Sequence, residues 1–458
     1  MNQFYISKRC AVHYTEVSGR LTGRASFSGR MAFILATAAS AVGLGNIWRF
    51  PTVVSQNGGG TFLVAYIIIV IVFGTMMLMT EIAIGRKTRS SPVGAYASLD
   101  RRGKFIGYLS VIIPAIIAPY YCVICGWILA YLVGYGTGTD MSEPGMFGGF
   151  VSSPLAILAL FVILALVAVT LYKGVSKGIE KISVIFMPLF LIMLIVLVIY
   201  MLTQPGISDG LDYYLSFNLA DLDFSMFSAA LGQAFFSLSL AMGIVITYGS
   251  YMYKKEDIER CSISVGIVDT IVAVLASLLI VPVVFQTYAG DIPSGPTLVF
   301  DALPNIFSGM PGGEYVAIAF FVMLFIAAFT SAVSIGEAVT STIMDMKKVS
   351  RHKAVILFLI PTTIMGIIVA LGFGLLDFIQ IAGNGIMDIL DIVSNSILMP
   401  VVALCMCIFV GHVIGIKVIE DEIASSSKFR LRKVYPIMIK WVAPILILII
   451  LLGSFIDM

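Results

Sequence analysis

The sequence predicts an all-α integral membrane protein with about eleven transmembrane helices. Of its 458 residues, 59% are hydrophobic and 12% are charged, and the mean hydropathy is +1.02. Soluble domains are about 45–50% apolar and about 25% charged, so the composition excludes the soluble enzymes as a class. The charges lie between apolar runs, and a formal net charge of +2 gives no sign of a nucleic-acid partner.

A membrane-crossing helix needs roughly 20 apolar residues, and about eleven runs reach that length. Uninterrupted apolar runs predict helices rather than barrel strands, because only helices and closed barrels satisfy the backbone inside lipid. We number these runs as spans 1 to 11, and they cover residues 31–56, 61–85, 104–135, 154–173, 179–202, 224–252, 262–286, 314–344, 353–374, 381–411 and 434–455.

Lys and Arg residues are confined to alternate connections between the spans. They precede span 1 and follow spans 2, 4, 6, 8 and 10, whereas the opposite loops carry Asp and Glu without Lys or Arg. The positive-inside rule therefore predicts a cytoplasmic N-terminal segment, residues 1–30. An odd number of spans then places the C-terminus on the extracytoplasmic side. Arg49, at the outer end of span 1, is the one basic residue that breaks this pattern.

Two spans are interrupted by residues that loosen a helix. Span 1 reads SAVGLGNIWRFP across its middle, and span 6 reads GQAFFSLSLAMG. Glycine lowers the cost of non-helical backbone, and such backbone is tolerated at membrane depth only where it lines a buried cavity. Taken alone, each interruption is better explained by an ordinary kink or by a contact between small residues of two helices.

The spacing of the two breaks favours a functional explanation. If spans 1–5, residues 31–202, and spans 6–10, residues 224–411, are copies of one unit, the breaks occupy corresponding positions. The first unit starts from the cytoplasm and the second from outside, so the repeats are inverted, with span 11, residues 434–456, added at the end. Transporters built in this way bind substrate between the repeats, near the middle of the bilayer.

These stretches resemble the neurotransmitter:sodium symporter family, and in particular its bacterial members. The matching motifs are AVGLGNIWRFP followed by NGGG in span 1, PYY in span 3, GQAFFSLSLAMG and TYGSY in span 6, and AAFTSAVS in span 8. The resemblance implies the LeuT fold and sodium-coupled symport of an amino acid. It also implies a multi-pass protein of the bacterial inner membrane, expected to be a monomer or a weak dimer in the lipid bilayer.

The resemblance implies two sodium sites built from oxygen atoms, which hard cations prefer. The first would use the Ala41 carbonyl and the side chains of Asn46, Ser237 and Asp269, and the substrate carboxylate would complete it. The second would use the carbonyls of Ala39, Val42 and Ala327 and the hydroxyls of Thr330 and Ser331. Close helix packing without sodium is the alternative for these two hydroxyls.

Asp269 is the only acid in span 7, and a carboxylate inside a membrane indicates a functional site by default. We expect it to supply the negative charge that chloride-dependent relatives take from a bound chloride, so transport is predicted to be independent of chloride. A protonated or helix-paired acid is the alternative. Proton-coupled transport through Asp269 or Glu81 is the alternative function. For Glu81 we expect a bond to the open backbone of span 6, and pairing with Arg86 is the alternative.

The second half of span 1 begins near Leu44 and Gly45, where free N–H groups suit the carboxylate of an amino acid. Tyr121, midway through span 3, can donate to the same carboxylate. By resemblance, the full substrate site comprises Ala41, Gly43, Leu44, Gly45, Ile117, Tyr121, Phe236, Ser237, Ser239, Met242, Ser331 and Ile335. Since none is charged, the substrate is predicted to be a neutral, apolar L-amino acid. The methyl group of Ala241 favours small or medium side chains over tryptophan.

Two ion pairs are expected to act as gates, again by resemblance. Arg49 and Asp391 would close the outer side, although Arg49 could instead be an arginine that extends to the membrane interface. Arg24 and Asp345 would close the inner side, where Phe27 stands in place of the tryptophan of the family. Ordinary loop charge is the alternative for this second pair.

Enzymatic activity is not expected. The chain has three His residues, in or beside predicted cytoplasmic segments, and it lacks H-E-x-x-H, Walker and G-x-S-x-G motifs. The same absence disfavours transport driven by ATP.

Overall fold

A computed structural model describes residues 24–288 and 292–456. Within these residues the chain is helical, and the only β-type pairing is an isolated bridge between Ile381 and Asn384. The all-α prediction is therefore confirmed.

The helices follow the predicted spans closely. Short helices connect them, including Pro92–Leu99, Met146–Val151, Ser208–Leu215, Leu298–Ser308 and Lys417–Ala424. In span order, the membrane helices are Arg30–Ala41 with Gly45–Gln56, Gly60–Thr88, Arg101–Gly136, Pro154–Gly174, Lys181–Leu202, Phe224–Ser237 with Ile244–Ser250, Ile258–Tyr288, Gly313–Lys347, Arg351–Leu371, Ile386–Val413 and Tyr435–Gly453.

Eight helices in the described ranges are individually long and apolar enough to cross a membrane, or nine if the bent pair of span 1 counts as one crossing. Spans 4 and 5 form one run of 49 residues, Pro154–Leu202. That length exceeds the roughly 20 residues of a crossing, and the run turns at Gly174, whose φ is +77°. The halves of span 6 are 14 and 7 residues long, so neither crosses alone. Counting the long run as two spans and the two halves of span 6 as one further span raises the number from nine to the eleven predicted.

Spans 3 and 8 lie at the centre of the bundle, and most of their apolar length is buried. Spans 4, 5, 9 and 11 lie outside and expose large apolar side chains, such as Ile192, Ile364 and Trp441. An apolar exterior around a packed interior is what lipid requires. The breaks in spans 1 and 6 face the centre.

The break in span 1 bends its two halves by 55°. The break in span 6 is more open, and Ser239, Ala241 and Gly243 have φ values of +51°, +65° and +69°. Positive φ is unfavourable for residues other than glycine, so this backbone needs support from its surroundings.

Glu81 supplies part of that support. Its fully buried carboxylate accepts a hydrogen bond of 2.6 Å from the Ala241 N–H. This is the contact expected between Glu81 and the open backbone of span 6. The alternative pairing with Arg86 is not observed among the described residues, because Arg86 forms its ion pair with Glu422 at 2.7 Å.

Candidate functional site

The two breaks border a cavity of about 190 Å³ near the middle of the bundle. Eleven of the twelve predicted substrate residues line it, and the exception is Ser237, which lies beside it in a polar cluster. The lining residues are Ser40, Ala41, Gly43, Leu44, Gly45, Trp48, Arg49, Ile117, Tyr120, Tyr121, Ile124, Phe236, Ser239, Met242, Ile244, Gly295, Pro296, Ser331, Ile335, Met387, Asp388 and Asp391.

The break in span 1 needs its glycines because other groups approach them closely. A Cβ on Gly43 would lie 2.8 Å from both the Ser331 and the Tyr121 hydroxyl oxygens. A Cβ on Gly45 would lie 2.5 Å from the Phe236 ring. The Leu44 N–H donates to the Tyr121 hydroxyl at 3.4 Å, so a helix-start N–H and a phenol converge at one end of the cavity.

A polar cluster beside the cavity contains the side chains predicted for the first sodium site. The Ser237 hydroxyl donates to Asp269 Oδ2 at 2.6 Å, and Asn46 Nδ2 lies 2.9 Å from Asp269 Oδ1 and 3.1 Å from Ser237 Oγ. Asn46 Oδ1 accepts the Gly43 N–H at 3.3 Å. A half-turn of the Asn46 amide would bring its oxygen into the cluster.

The charge of Asp269 makes this cluster suited to a cation. Its side chain is fully buried, and its hydrogen-bond donors are the neutral groups of Ser237, Asn46 and Tyr66, the last at 3.4 Å. No Lys or Arg in the described chain lies within 4.0 Å of it. Because a buried carboxylate without a countercharge is costly, a monovalent cation fits the position.

A second cluster of oxygen atoms lies where span 8 meets the first half of span 1. Thr330 Oγ1 is 3.0 Å from the Ala39 carbonyl and 3.1 Å from the Ala327 carbonyl. Ser331 Oγ is 3.3 Å from the Ala39 carbonyl and 3.2 Å from the Val42 carbonyl. Two hydroxyl protons cannot serve this many acceptors at once. The five oxygen atoms predicted for the second sodium site therefore lie close together, and some of their lone pairs accept no hydrogen bond from these two hydroxyls.

The predicted outer ion pair is not formed among the described residues. Arg49 and Asp391 both line the cavity, but they do not form an ion pair within 4.0 Å in the described chain. The Arg49 guanidinium lies over the Phe236 ring, 4.8 Å from its centroid. Asp391 accepts hydrogen bonds from Tyr120 at 3.0 Å and Asn395 at 2.5 Å. The gating role of this pair stays a prediction.

The other predicted pair is formed. Arg24 Nη1 lies 2.7 Å from Asp345 Oδ2, and Arg24 Nε donates to the Ser250 hydroxyl at 2.8 Å. Phe27 packs edge-on against the rings of Tyr248 and Tyr251, and its N–H donates to the Tyr251 carbonyl at 3.2 Å. We call Arg24, Ser250 and Asp345 the Arg24 latch.

Two residues of the site, Tyr66 and Glu337, are missed by the prediction from sequence. Tyr66 donates to Asp269 from span 2, about 200 residues away, which a single sequence does not reveal. Glu337, buried in span 8, bonds Tyr251 and Arg351 at 2.7 Å each beneath the Arg24 latch. As an acid inside a span, Glu337 could have been found by the rule that identified Asp269.

Comparison with known proteins agrees with this geometry. The sequence profile of the sodium:neurotransmitter symporter family matches residues 24–139 and 139–458. The chain belongs to this family. The family consists of membrane transporters rather than enzymes, and its members include sodium-dependent transporters.

The relatives include an uncharacterized sodium-dependent transporter of Haemophilus influenzae, 34% identical over 94% of this chain and 98% of the relative. A second, from Bacillus subtilis, is 32% identical over 93% of this chain and 97% of the relative. Among solved structures, MhsT in complex with L-phenylalanine is 37% identical and superposes with a TM-score of 0.86, over 94% of this chain and all of MhsT. The transporter therefore has the LeuT fold.

Proposed function

We propose that the transporter couples the entry of sodium to that of a neutral, apolar L-amino acid, without a need for chloride. The observation that carries this proposal is the buried Asp269 cluster directly beside the central cavity. Ser237 belongs to the cluster, and its neighbour Phe236 lines the cavity. A cation in the cluster and an amino acid in the cavity would therefore share the two broken helices.

Two sodium ions per cycle are proposed. The first would bind Asp269, Ser237, Asn46 and the Ala41 carbonyl, and the second would bind the cluster formed by Thr330, Ser331 and the carbonyls of Ala39, Val42 and Ala327. The Asp269 carboxylate balances the charge of the first ion, which is the reason for proposing chloride independence. The sodium-dependent relatives support the coupling ion.

The substrate carboxylate is assigned to the N–H groups at Leu44 and Gly45 and to the Tyr121 hydroxyl, since a helix start attracts anions. The ammonium group is assigned to the Ala41, Phe236 and Ser237 carbonyls and the Ser239 hydroxyl. The side chain would then lie against apolar lining residues that include Ile117, Phe236, Met242 and Ile335.

The size of the substrate depends on this apolar part of the cavity. Ala241 is not among the lining residues, so the structure gives no support to its methyl group as a size limit. An apolar cavity of about 150 Å³ accepts benzene, and this cavity measures about 190 Å³. The L-phenylalanine bound by MhsT also supports a medium or aromatic apolar side chain. We therefore extend the proposed range up to phenylalanine and still expect tryptophan to be disfavoured.

Alternating access is proposed to run through the two predicted gates. The Arg24 latch is formed, whereas Arg49 and Asp391 are not joined by an ion pair within the described residues, which supports a cycle in which the two pairs form in different states. Exposed ion pairs are worth about 0–1 kcal/mol, so pairs of this kind can open and close during a cycle. Closure over bound substrate would bring Arg49 toward Asp391.

A competition panel tests the substrate assignment. Purified transporter would bind labelled L-leucine in sodium buffer, with unlabelled alanine, leucine, phenylalanine, tryptophan, lysine and glutamate as competitors. We expect leucine and phenylalanine to compete best, the two charged amino acids not to compete, and binding to vanish when choline replaces sodium. Strongest competition by tryptophan, or any by lysine or glutamate, would contradict the assignment.

A further inference from the structure

A group of lysines lies where spans 4 and 5 meet, outside the substrate and sodium sites. Lys173 ends span 4, Lys177 lies in the connecting turn Val175–Glu180, and Lys181 begins span 5. All three are exposed, and none forms an ion pair within the ranges that the structure describes. They line one surface depression of about 600 Å³, which we call the lysine pocket.

The lysine pocket has a polar part and an apolar part. Ser176 and Glu180 also line it, so its charged groups leave a net positive charge. Its far edge is formed by Val184 and Ile185, whose exposures are 40% and 53%. These two side chains continue into the exposed apolar surface of span 5, which faces lipid.

This combination matches one chemical class of ligand. A basic depression at the end of membrane helices suits the phosphate of a lipid headgroup, and the adjoining apolar surface suits its acyl chains. Free phosphate would use the lysines but not Val184 and Ile185. Long lysine side chains can also extend toward the headgroup level while their stems stay on apolar surface.

The lysine pocket is linked to the Arg24 latch through two hydrogen bonds. The Ser176 hydroxyl donates to the Ser26 carbonyl at 3.3 Å, and the Glu180 carboxylate accepts the Ser28 N–H at 3.1 Å. Ser26 and Ser28 lie two and four residues after Arg24, which forms an ion pair with Asp345 on span 8. A ligand that fixes the turn Val175–Glu180 would therefore also fix the segment that carries Arg24.

We propose that the lysine pocket binds the headgroup of an acidic phospholipid and that this binding stabilises the closed Arg24 latch. The coupling to the latch rests on the proposed function of Arg24 as a gate, whereas lipid binding does not. By thermodynamic linkage, a ligand that binds better to the closed state shifts the transporter toward that state.

The test uses full-length transporter in nanodiscs of phosphatidylcholine, with or without phosphatidylglycerol. Lipid retained on the protein is measured by native mass spectrometry. The variant changes Lys173, Lys177 and Lys181 to Gln, and the matched control changes the exposed lysines Lys254, Lys417 and Lys433 to Gln. We expect the affinity for phosphatidylglycerol to fall about fivefold for each pocket lysine removed, and not to change in the control. Equal retention by the variant and the wild type would overturn the proposal.

Hydrogen exchange of residues 24–30 in the same nanodiscs measures the coupling. We expect phosphatidylglycerol to slow this exchange in the wild type and the control but not in the pocket variant. Retained lipid without slower exchange would overturn the link to the latch, and an equal effect of added inorganic phosphate in phosphatidylcholine would overturn the assignment to lipid. A failure of sodium-coupled uptake would leave lipid retention unchanged, so the two proposals fail separately.

Discussion

Replacing Asp269 with Asn tests the first sodium site most directly. The change keeps the shape of the side chain and one oxygen ligand, but it removes the only negative charge of the cluster. Removing one partner from a buried, hydrogen-bonded charge pair costs roughly 2–5 kcal/mol. We expect a cost at the lower end of this range, about 2 kcal/mol, because the amide oxygen of Asn remains as a ligand. Since about 1.4 kcal/mol is a tenfold change, the sodium concentration for half-maximal binding should rise about 30-fold.

The assay is binding of labelled L-leucine across a sodium titration, with choline keeping the ionic strength constant. Each titration is run in chloride and in gluconate. If Asp269 takes the place of chloride, wild-type binding is the same in both, whereas chloride restores part of the sodium affinity of Asp269→Asn. Asp212→Asn removes an exposed carboxylate elsewhere and serves as the control. A change of less than about threefold in Asp269→Asn would refute the assignment of Asp269 to sodium.

Three further changes probe the second sodium site, the cavity and the latch. Thr330→Val removes one oxygen from the second cluster without changing side-chain shape, so the sodium titration should become less cooperative; an unchanged Hill coefficient argues for packing alone. Gly45→Ala forces the Phe236 ring to move, and because overpacking costs about 1–3 kcal/mol, leucine affinity should fall at least about fivefold. Gly232→Ala, where a Cβ meets nothing within 4 Å, should leave affinity unchanged. Arg24→Gln should speed hydrogen exchange in residues 24–30 by at most about fivefold, because a partly exposed ion pair is worth about 0–1 kcal/mol. The control Arg260→Gln should leave this exchange unchanged.

The spans and their two breaks could be predicted because both depend on local sequence. Hydropathy over about 20 residues identifies a crossing, and Gly43 and Gly45 mark backbone that departs from a helix. Glu81 was expected to support span 6 for a similar reason, since a buried acid needs a partner and open backbone offers N–H groups. The first and last residues of the break in span 6 are harder to predict, because the break is formed partly by Ser239 and Ala241 at positive φ rather than by glycine alone.

The remaining features depend on contacts between distant segments or on the state of the transporter. Tyr66 reaches Asp269 from span 2, and Gly295 lines the cavity from a loop, and neither position has a local pattern that predicts it. The Arg49 guanidinium lies over the Phe236 ring, and the expected ion pair with Asp391 is not formed among the described residues. A sequence can indicate which residues pair during a cycle, but not which of those pairs a given conformation contains.

Uptake by transporter reconstituted into liposomes, with the gradients of sodium, potassium and protons imposed one at a time, tests sodium-coupled symport most directly. We expect labelled L-leucine to accumulate only under an inward sodium gradient, equally well in chloride and in gluconate. Accumulation driven by a proton gradient in the absence of sodium would contradict sodium coupling and would favour a proton-coupled carrier that uses Asp269 or Glu81.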